Sequence, residues 1–536
     1  MTNYAKNVNH ISGATPQAIK ATESQKQNNA GGFVFSLDMW SRLDRFLILG
    51  ADSNTYYSSA KTAINDNYEV IIECIKDDGI RAVTKIVDVS TSGNAPKNIP
   101  AVFALAVCAA FGDKIVKEAA FRAMPSVARI ATDFFAFIND YKMLGGGFGI
   151  VARKGIEAWY SNKEISQAAY QIVKYRQRNG WTHLDALRLA HVKPRNVAEE
   201  NLYGFAKSLT GKDANFDKGL LPEIAQGYIE AQEATNPSEI VKLVDDYNLP
   251  REAIPTHFLN DINVWDSLLQ RMPATALIRN LGKMSSIGLL DGGSDGRKMV
   301  VDKLSDAEWL IKSRVHPITI LNALSVYKKG AGVRGSLTWD AAGPICDALD
   351  EAFYSAFDHI EPTGKRTMLA LDISGSMGMN WGEDNPSFSL NAREISAAMA
   401  MATARVESDH MFTAFTSELS EIDISPRQRL DDVVKTLSAM RMGRTDCAQP
   451  MLYALEKKIV IDTFCIYTDN ETWFGAMHPF QALNKYRAQV NPNAKLVVVA
   501  CTPTEFSIAD PSDAGMLDVA GFDSNVPTII SNFSRA

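Results

Sequence analysis

From about residue 40 to residue 345 the apolar positions recur with a helical period, and strict alternation of the strand kind is almost absent. Ile165, Ala169, Ile172, Val173 and Arg176 follow i, i+4, i+7 spacing until basic residues take over. Apolar helices are predicted over 101–111, 118–140, 264–271 and 316–327. Short joints bearing Gly or Pro, such as SGNAPKNIP and LGGGFG, separate them. Many helices of this length in series predict stacked pairs, a HEAT-like α-solenoid, although no crisp internal repeat is present.

The pattern changes after residue 360. TMLALDIS (367–374), HMFTAFTS (410–417), VIDTFCIYTD and KLVVVACT read as strands. NAREISAAMAMATARVE (391–407), RLDDVVKTLSAM and PMLYALEKK read as helices. Alternating strands and helices predict a doubly wound α/β sheet with helices on both faces. The segment EPTGKR (361–366) is expected at the edge of that sheet. The division expected is a flexible arm over 1–30, a helical-repeat domain over 31–360 and an α/β domain over 361–536. The arm is inferred from a start rich in Asn, Gln, Ala and Thr, without the basic and apolar stretches of a signal peptide.

Composition changes this picture little. The 46% hydrophobic and 22% charged residues are those of an ordinary globular chain, and no apolar run approaches the ~18 residues of a membrane span. Six cysteines (Cys74, Cys108, Cys346, Cys447, Cys465 and Cys501) form no C-x-x-C pair and lie in apolar stretches. They read as buried free thiols in a reducing, cytoplasmic compartment, and their scatter argues against structural zinc. Charge is more informative. Residues 1–345 carry 40 Lys+Arg against 36 Asp+Glu, residues 346–536 carry 15 against 26, and residues 151–195 carry nine against three. A basic stretch of that density is either a solvated helical surface or a polyanion site.

Two stretches carry candidate chemistry. Asp372-Ile373-Ser374-Gly375-Ser376 comes directly after the strand LAL, and Gly443-Arg444-Thr445-Asp446 and Thr468-Asp469-Asn470 come later in order. D-x-S-x-S alone is as readily an Asx turn. With the other two loops, Asp372, Ser374, Ser376, Thr445 and Asp469 make an all-oxygen set suited to a hard divalent ion, Mg²⁺ foremost, with Mn²⁺ or Ca²⁺ as substitutes. The second stretch is KYRQRNGWTHLDALRLAHVKPR (174–195). A helix is expected to stop near Asn179-Gly180, and Thr182 with Asp185 reads as the capping box of the next. On a continued helix Lys174 and Arg178 would share a face, and Arg176 lies between them. His191 stands three residues beyond Arg188, and its plainer reading is a core-edge histidine beside Leu184 and Leu187.

The loop set resembles the von Willebrand A domain and its metal-ion-dependent adhesion site. The resemblance implies Ser374, Ser376 and Thr445 as direct or near-direct ligands, with Asp372 and Asp469 bound directly or through water. GGFVFSLDMWSRLDRFLILG, KYRQRNGWTHLDALRLAHVKP, MPATALIRNLGKM, RVHPITILNALSVYKKGAGVRG, EPTGKR, YTDNETWFG and IADPSDAGMLDVAGFD are similar to the Ro ribonucleoprotein autoantigen family, in order along the chain. That resemblance implies a ring of helical repeats, the TROVE domain, closed by a von Willebrand A domain. It implies small non-coding Y RNAs bound outside the ring by Lys174, Arg178 and His191, and single-stranded ends of misfolded RNAs in the hole. It further implies RNA quality control and stress survival, with an exoribonuclease or other protein as partner to a monomeric ring. Arg42 and Arg45 are candidates for the hole on charge alone. Gly145-Gly146-Gly147-Phe148-Gly149 is richer in glycine than the family's pattern, which predicts a mobile approach to the basic helix.

Two other function classes compete. A metal-dependent hydrolase using Asp372 and Asp469 lacks the paired ions of nucleases, and no Ser-His-Asp or G-x-S-x-G array is present. A metal-dependent protein-adhesion scaffold, with RNA binding secondary, is the alternative. A non-catalytic RNA-binding protein is the expectation.

Overall fold

The computed structural model describes residues 14–50, 60–212, 214–332, 335–358, 360–378, 390–502 and 504–536, with residues 60–67 as backbone only. Helices dominate up to Ser355. The central one is Ile99–Phe111, apolar almost all round, started by Pro100 in its first turn and buried over most of its length. A helix apolar on every side has to be surrounded, and Ala60–Ser92, Lys114–Val127 and Ala131–Met143 pack around it. The predicted helix 118–140 is thus two helices, broken at Ala128–Ile130. From there helices pack in succession to Pro317–Lys328 and Gly343–Ser355. The series closes on itself. His316 Nε2 lies 2.9 Å from the carbonyl oxygen of Asn94, and the Arg314 guanidinium reaches the carbonyl of Thr91.

Eleven strands are present among the described residues: β1 Gln25–Gln27, β2 Phe33–Ser36, β3 Gln177–Arg178, β4 Trp181–Thr182, β5 Thr367–Asp372, β6 His410–Phe415, β7 Leu419–Glu421, β8 Thr463–Thr468, β9 Lys495–Ala500, β10 Phe506–Ser507 and β11 Met516–Ala520. The main sheet runs β11-β9-β8-β5-β6-β7, parallel except for the edge strand β7. Its central strands are buried along their whole length, which is why they read as continuous apolar runs. Successive residues nevertheless face two cores. Met368, Ala370, Phe464, Ile466, Leu496 and Val498 face helices Gln449–Lys457 and Pro479–Gln489. Leu369, Leu371, Cys465, Tyr467, Val497 and Val499 join a core that continues through Ala392–Val406 into the helical domain. The two domains therefore share one apolar interior.

Two expectations about boundaries are corrected. Residues 14–30 are not a free arm: β1 pairs with β2, and β2 with β10 of the α/β domain, in a three-stranded antiparallel sheet. The segment is held down largely by side-chain amides, which is why its composition reads as that of a solvated arm. Residues 1–13 lie outside the described residues. EPTGKR is not a sheet edge either. It leads into β5, one of the sheet's interior strands, and is pinned where Glu407 accepts from Thr363 N at 3.0 Å.

Candidate functional site

β5 and β8 are neighbours from which the chain departs in opposite directions, to β6 on one side and β9 on the other. Such a switch point opens a crevice at the carboxyl ends of the strands. Asp372 ends β5, fully buried. Its carboxylate accepts from Ser374 N at 2.9 Å and from Thr468 Oγ1, at the end of β8, at 2.8 Å. The hydroxyls of Ser374 and Ser376 lie 3.2 Å apart, and Ser376 hydrogen-bonds Asp469. The structure thus links four of the five predicted ligands directly. Thr445, buried, joins through its loop: its carbonyl accepts from Phe474 N at 3.0 Å and Thr472 Oγ1 at 3.3 Å.

Burial, then the nearby charge of Asp469, pushes the Asp372 carboxyl up to about 7, and burial raises Asp469 as well. Two carboxylates this deep are costly without a cation. The nearby Arg393 is occupied in bracing the loop, donating to the carbonyls of Ile373 and Ser374 at 3.2 and 3.1 Å. The donors are hydroxyls and carboxylates, so the set can hold a hard divalent ion. Among the described residues no three His, Cys, Asp or Glu gather at a metal position, so any ion here depends on the hydroxyls.

Sequence reasoning missed the second layer. Asp446, raised to about 7 by burial, accepts from Gln17 Nε2 at 2.6 Å and Gln449 Nε2 at 2.7 Å. Glu471, raised to about 7 by burial and by Asp469, accepts from Asn29 Nδ2 at 2.7 Å and Ala30 N at 3.1 Å. Asn28 Nδ2 donates to the carbonyls of Asn470 and Thr472 at 3.2 and 2.8 Å. The amino-terminal segment is therefore a strap across the loops. The polar run T-D-N-E directly after FCIY was the available signal.

The basic stretch folds differently from expectation. Its first helix ends at Lys174, not near Asn179-Gly180. Asn179 and Gly180, both with positive φ (51° and 77°), instead form the two-residue turn of the hairpin β3–β4, as Asn-Gly between short strands prefers. Lys174 and Arg178 consequently do not share a helix face. Lys174 donates to Tyr170 OH at 3.0 Å and lies over the Tyr170 and Tyr175 rings. Arg176 donates to Tyr228 OH at 2.9 Å. The Thr182–Asp185 capping box is present and starts helix His183–Ala190. His191 is not a core-edge histidine: it is the left-handed C-cap of that helix (φ 53°) and is exposed. The buried histidine is His183, whose Nδ1 lies 2.9 Å from Tyr160 OH. Among the described residues the exposed side chains of Arg178, Arg188 and His191 have no hydrogen bond or ion pair. Arg178 sits at the hairpin turn and His191 at the far end of an eight-residue helix, about 12 Å long.

Arg42 and Arg45 belong to the domain junction. Arg45 is 2% exposed, donates to the carbonyls of Thr504 and Phe506 at 2.6 and 2.8 Å, and pairs with Asp518. Arg42 pairs with Glu73 and Glu505. The glycine-rich loop is also packed: Tyr141 OH donates to the Gly147 carbonyl at 2.9 Å, and a Cβ on Gly146 would collide with the Tyr141 ring. All six cysteines are free and buried, as expected. Among the described residues no helix is long and apolar enough to cross a membrane.

Comparisons with known proteins agree with this architecture. The TROVE domain family matches residues 26–226 and 246–329, and the Ro60 vWA domain family matches residues 366–534. An RNA-binding protein RO60 of Deinococcus radiodurans is 36% identical over 100% of this chain and 99% of its own length. One of Caenorhabditis elegans is 34% identical over 96% of this chain and 91% of its own. The crystal structure of the Deinococcus radiodurans RO (RSR) protein superposes with a TM-score of 0.71, at 36% identity, over 93% of this chain and 99% of that one.

Proposed function

The chain belongs to the Ro60 family of TROVE–vWA proteins, and on that premise we propose that it binds small structured RNAs of the Y type on the outer face of its helical domain. The observation that carries this reading is the set of exposed, unpaired side chains Arg178, Arg188 and His191 around one hairpin–helix unit. A folded protein gains little by leaving two guanidinium groups free beside one another's elements; a phosphate backbone gives them partners. Lys174 and Arg176, steadied by tyrosine hydroxyls, extend the cationic surface. A second RNA class, misfolded RNA with a single-stranded end, enters the hole of the closed helical series. The complex serves RNA quality control and stress survival in the cytoplasm as a monomeric ring. It holds RNA for a partner such as an exoribonuclease and is not itself a catalyst.

In the α/β domain Asp372, Ser374, Ser376, Thr445 and Asp469 would hold a Mg²⁺ ion, whose charge would attract a carboxylate of a protein partner. One observation favours that docking role: exposed Arg444 lies over the Trp473 and Phe474 rings, beside Thr445. The test is filter binding with three labelled RNAs of equal length: a Y-like stem–loop, a misfolded RNA with a single-stranded 3′ tail, and a blunt duplex. The first two bind well and the duplex poorly; Mg²⁺ leaves all three uncut. Equal affinity for the blunt duplex overturns the reading.

A further inference from the structure

We propose that Trp181 is a base-stacking residue, which makes the neighbourhood of the β3–β4 turn a site for an unpaired nucleotide rather than for phosphate alone. The inference rests on the RNA-binding reading above.

The hairpin is short and its geometry is constrained. Arg178 and Trp181 are cross-strand partners flanking the Asn179–Gly180 turn, so both side chains leave the same face. The hairpin packs on the end of helix Ala131–Met143. That end presents Lys142, whose ammonium lies 5.3 Å from the Trp181 ring centre, and Met143, which is 78% exposed. The glycine loop returns Phe148 to within 6.4 Å of the Trp181 ring, and Ile150, the next helix's first residue, is 74% exposed. Trp181 itself is half-buried, and among the described residues its indole N–H has no hydrogen-bond partner. An accessible tryptophan with a free N–H, apolar neighbours in solvent and two cations beside it is complementary to a base joined to a phosphate. A peptide partner of matching charge would be acidic, but would leave the flat indole face without a planar counterpart.

Lys142 does not block the site. An exposed cation over an aromatic ring shifts an equilibrium by a factor of about two to five, whereas stacking a base contributes roughly 5- to 150-fold. A base therefore displaces the ammonium, which swings to the phosphate. Arg178, directly opposite Trp181 across the hairpin, takes the flanking phosphate.

The test uses the full chain and two stem–loop RNAs with the same stem and phosphates, one with a pyrimidine loop and one with an abasic loop. Wild type binds the pyrimidine loop roughly 5- to 150-fold more tightly than the abasic loop. Trp181→Leu, which keeps an apolar side chain against the core, binds the two alike, and Trp181→Phe restores part of the difference. The salt slope is unchanged in both variants but falls by about one in Arg178→Gln. No preference for the pyrimidine loop in wild type, or full preference in a folded Trp181→Leu, overturns the proposal. The RNA-binding reading fails separately, if Arg178→Gln and Arg188→Gln both leave affinity and salt slope unchanged.

Discussion

The two candidate sites are built on opposite principles. The loop site of the α/β domain is buried, and each carboxylate is fixed by backbone or hydroxyl donors: Asp372 by Ser374 N and Thr468 Oγ1, Asp469 by Glu471 N at 3.0 Å. The surface at Arg178, Arg188 and His191 is exposed, and its side chains are tied to nothing among the described residues. A small ion has to find its ligands already converged, because dehydrating it is costly. An RNA brings charge at regular spacing and can be met by free, long side chains. Each site is therefore vulnerable in a different place: the first through the packing behind it, the second only through its own residues.

The largest expected effect probes the packing behind the buried site. Arg45→Ala leaves Asp518 and the carbonyls of Thr504 and Phe506 without their buried donor. Breaking a buried pair on one side costs ~3–5 kcal/mol, so thermal unfolding should fall steeply and the domains should separate before the helices melt. An unchanged melting temperature would mean that the shared apolar core alone joins the domains. Asp372→Ala comes next. It should abolish Mg²⁺ and Mn²⁺ binding by calorimetry, while the helical domain stays folded and RNA affinity stays near wild type. Coupled loss of RNA binding would erase the contrast, by showing that the surface site depends on the buried one.

Acid should loosen the closure of the helical series. His316 is buried and held down to about 4, and its Nδ1 accepts from Ile318 N at 3.1 Å while Nε2 meets the Asn94 carbonyl. A histidine depressed below its usual 6.5 stabilises the fold above that value and loses its contribution as pH falls through about 4. Protonation turns Nδ1 into a donor facing another donor, at a cost of about 1–3 kcal/mol. Amide protection factors around residues 91–94 and 316–320, taken relative to the intrinsic exchange rate at each pH, should therefore fall between pH 6.5 and 4, and a His316→Gln variant should lose that dependence. His183, also held at about 4 by burial, adds to the same window.

The smallest effect tests the exposed surface itself. His191→Ser should weaken a Y-like stem–loop by about 1 kcal/mol or less with little change in salt slope, because the imidazole's part is a hydrogen bond or a stack. A tailed misfolded RNA should be affected less, since it also uses the hole. Wild-type affinity of His191→Ser for the stem–loop would remove that residue from the interface.

Local pattern was enough wherever it has one physical solution. Apolar runs bounded by polar loops had to become the buried parallel strands β5, β8 and β9, and such strands present their polar loops at the carboxyl edge of the sheet. D-x-S-x-S after LAL therefore located Asp372, Ser374 and Ser376 before any fold was known. The Thr182–Asp185 cap was equally local. Where two local solutions compete, the chain did not decide. Asn179-Gly180 can end a helix or turn a hairpin, and in the fold it turns a hairpin that packs against helix Ala131–Met143, which takes Arg178 off the helix. Arg45 could have lined a hole as well as a junction until Asp518, more than 400 residues away, supplied its partner. The strap of Gln17, Asn28 and Asn29 was illegible for the same reason: its polar side chains look like a solvated arm until the loops that satisfy them, some 440 residues on, are brought alongside by the tertiary fold.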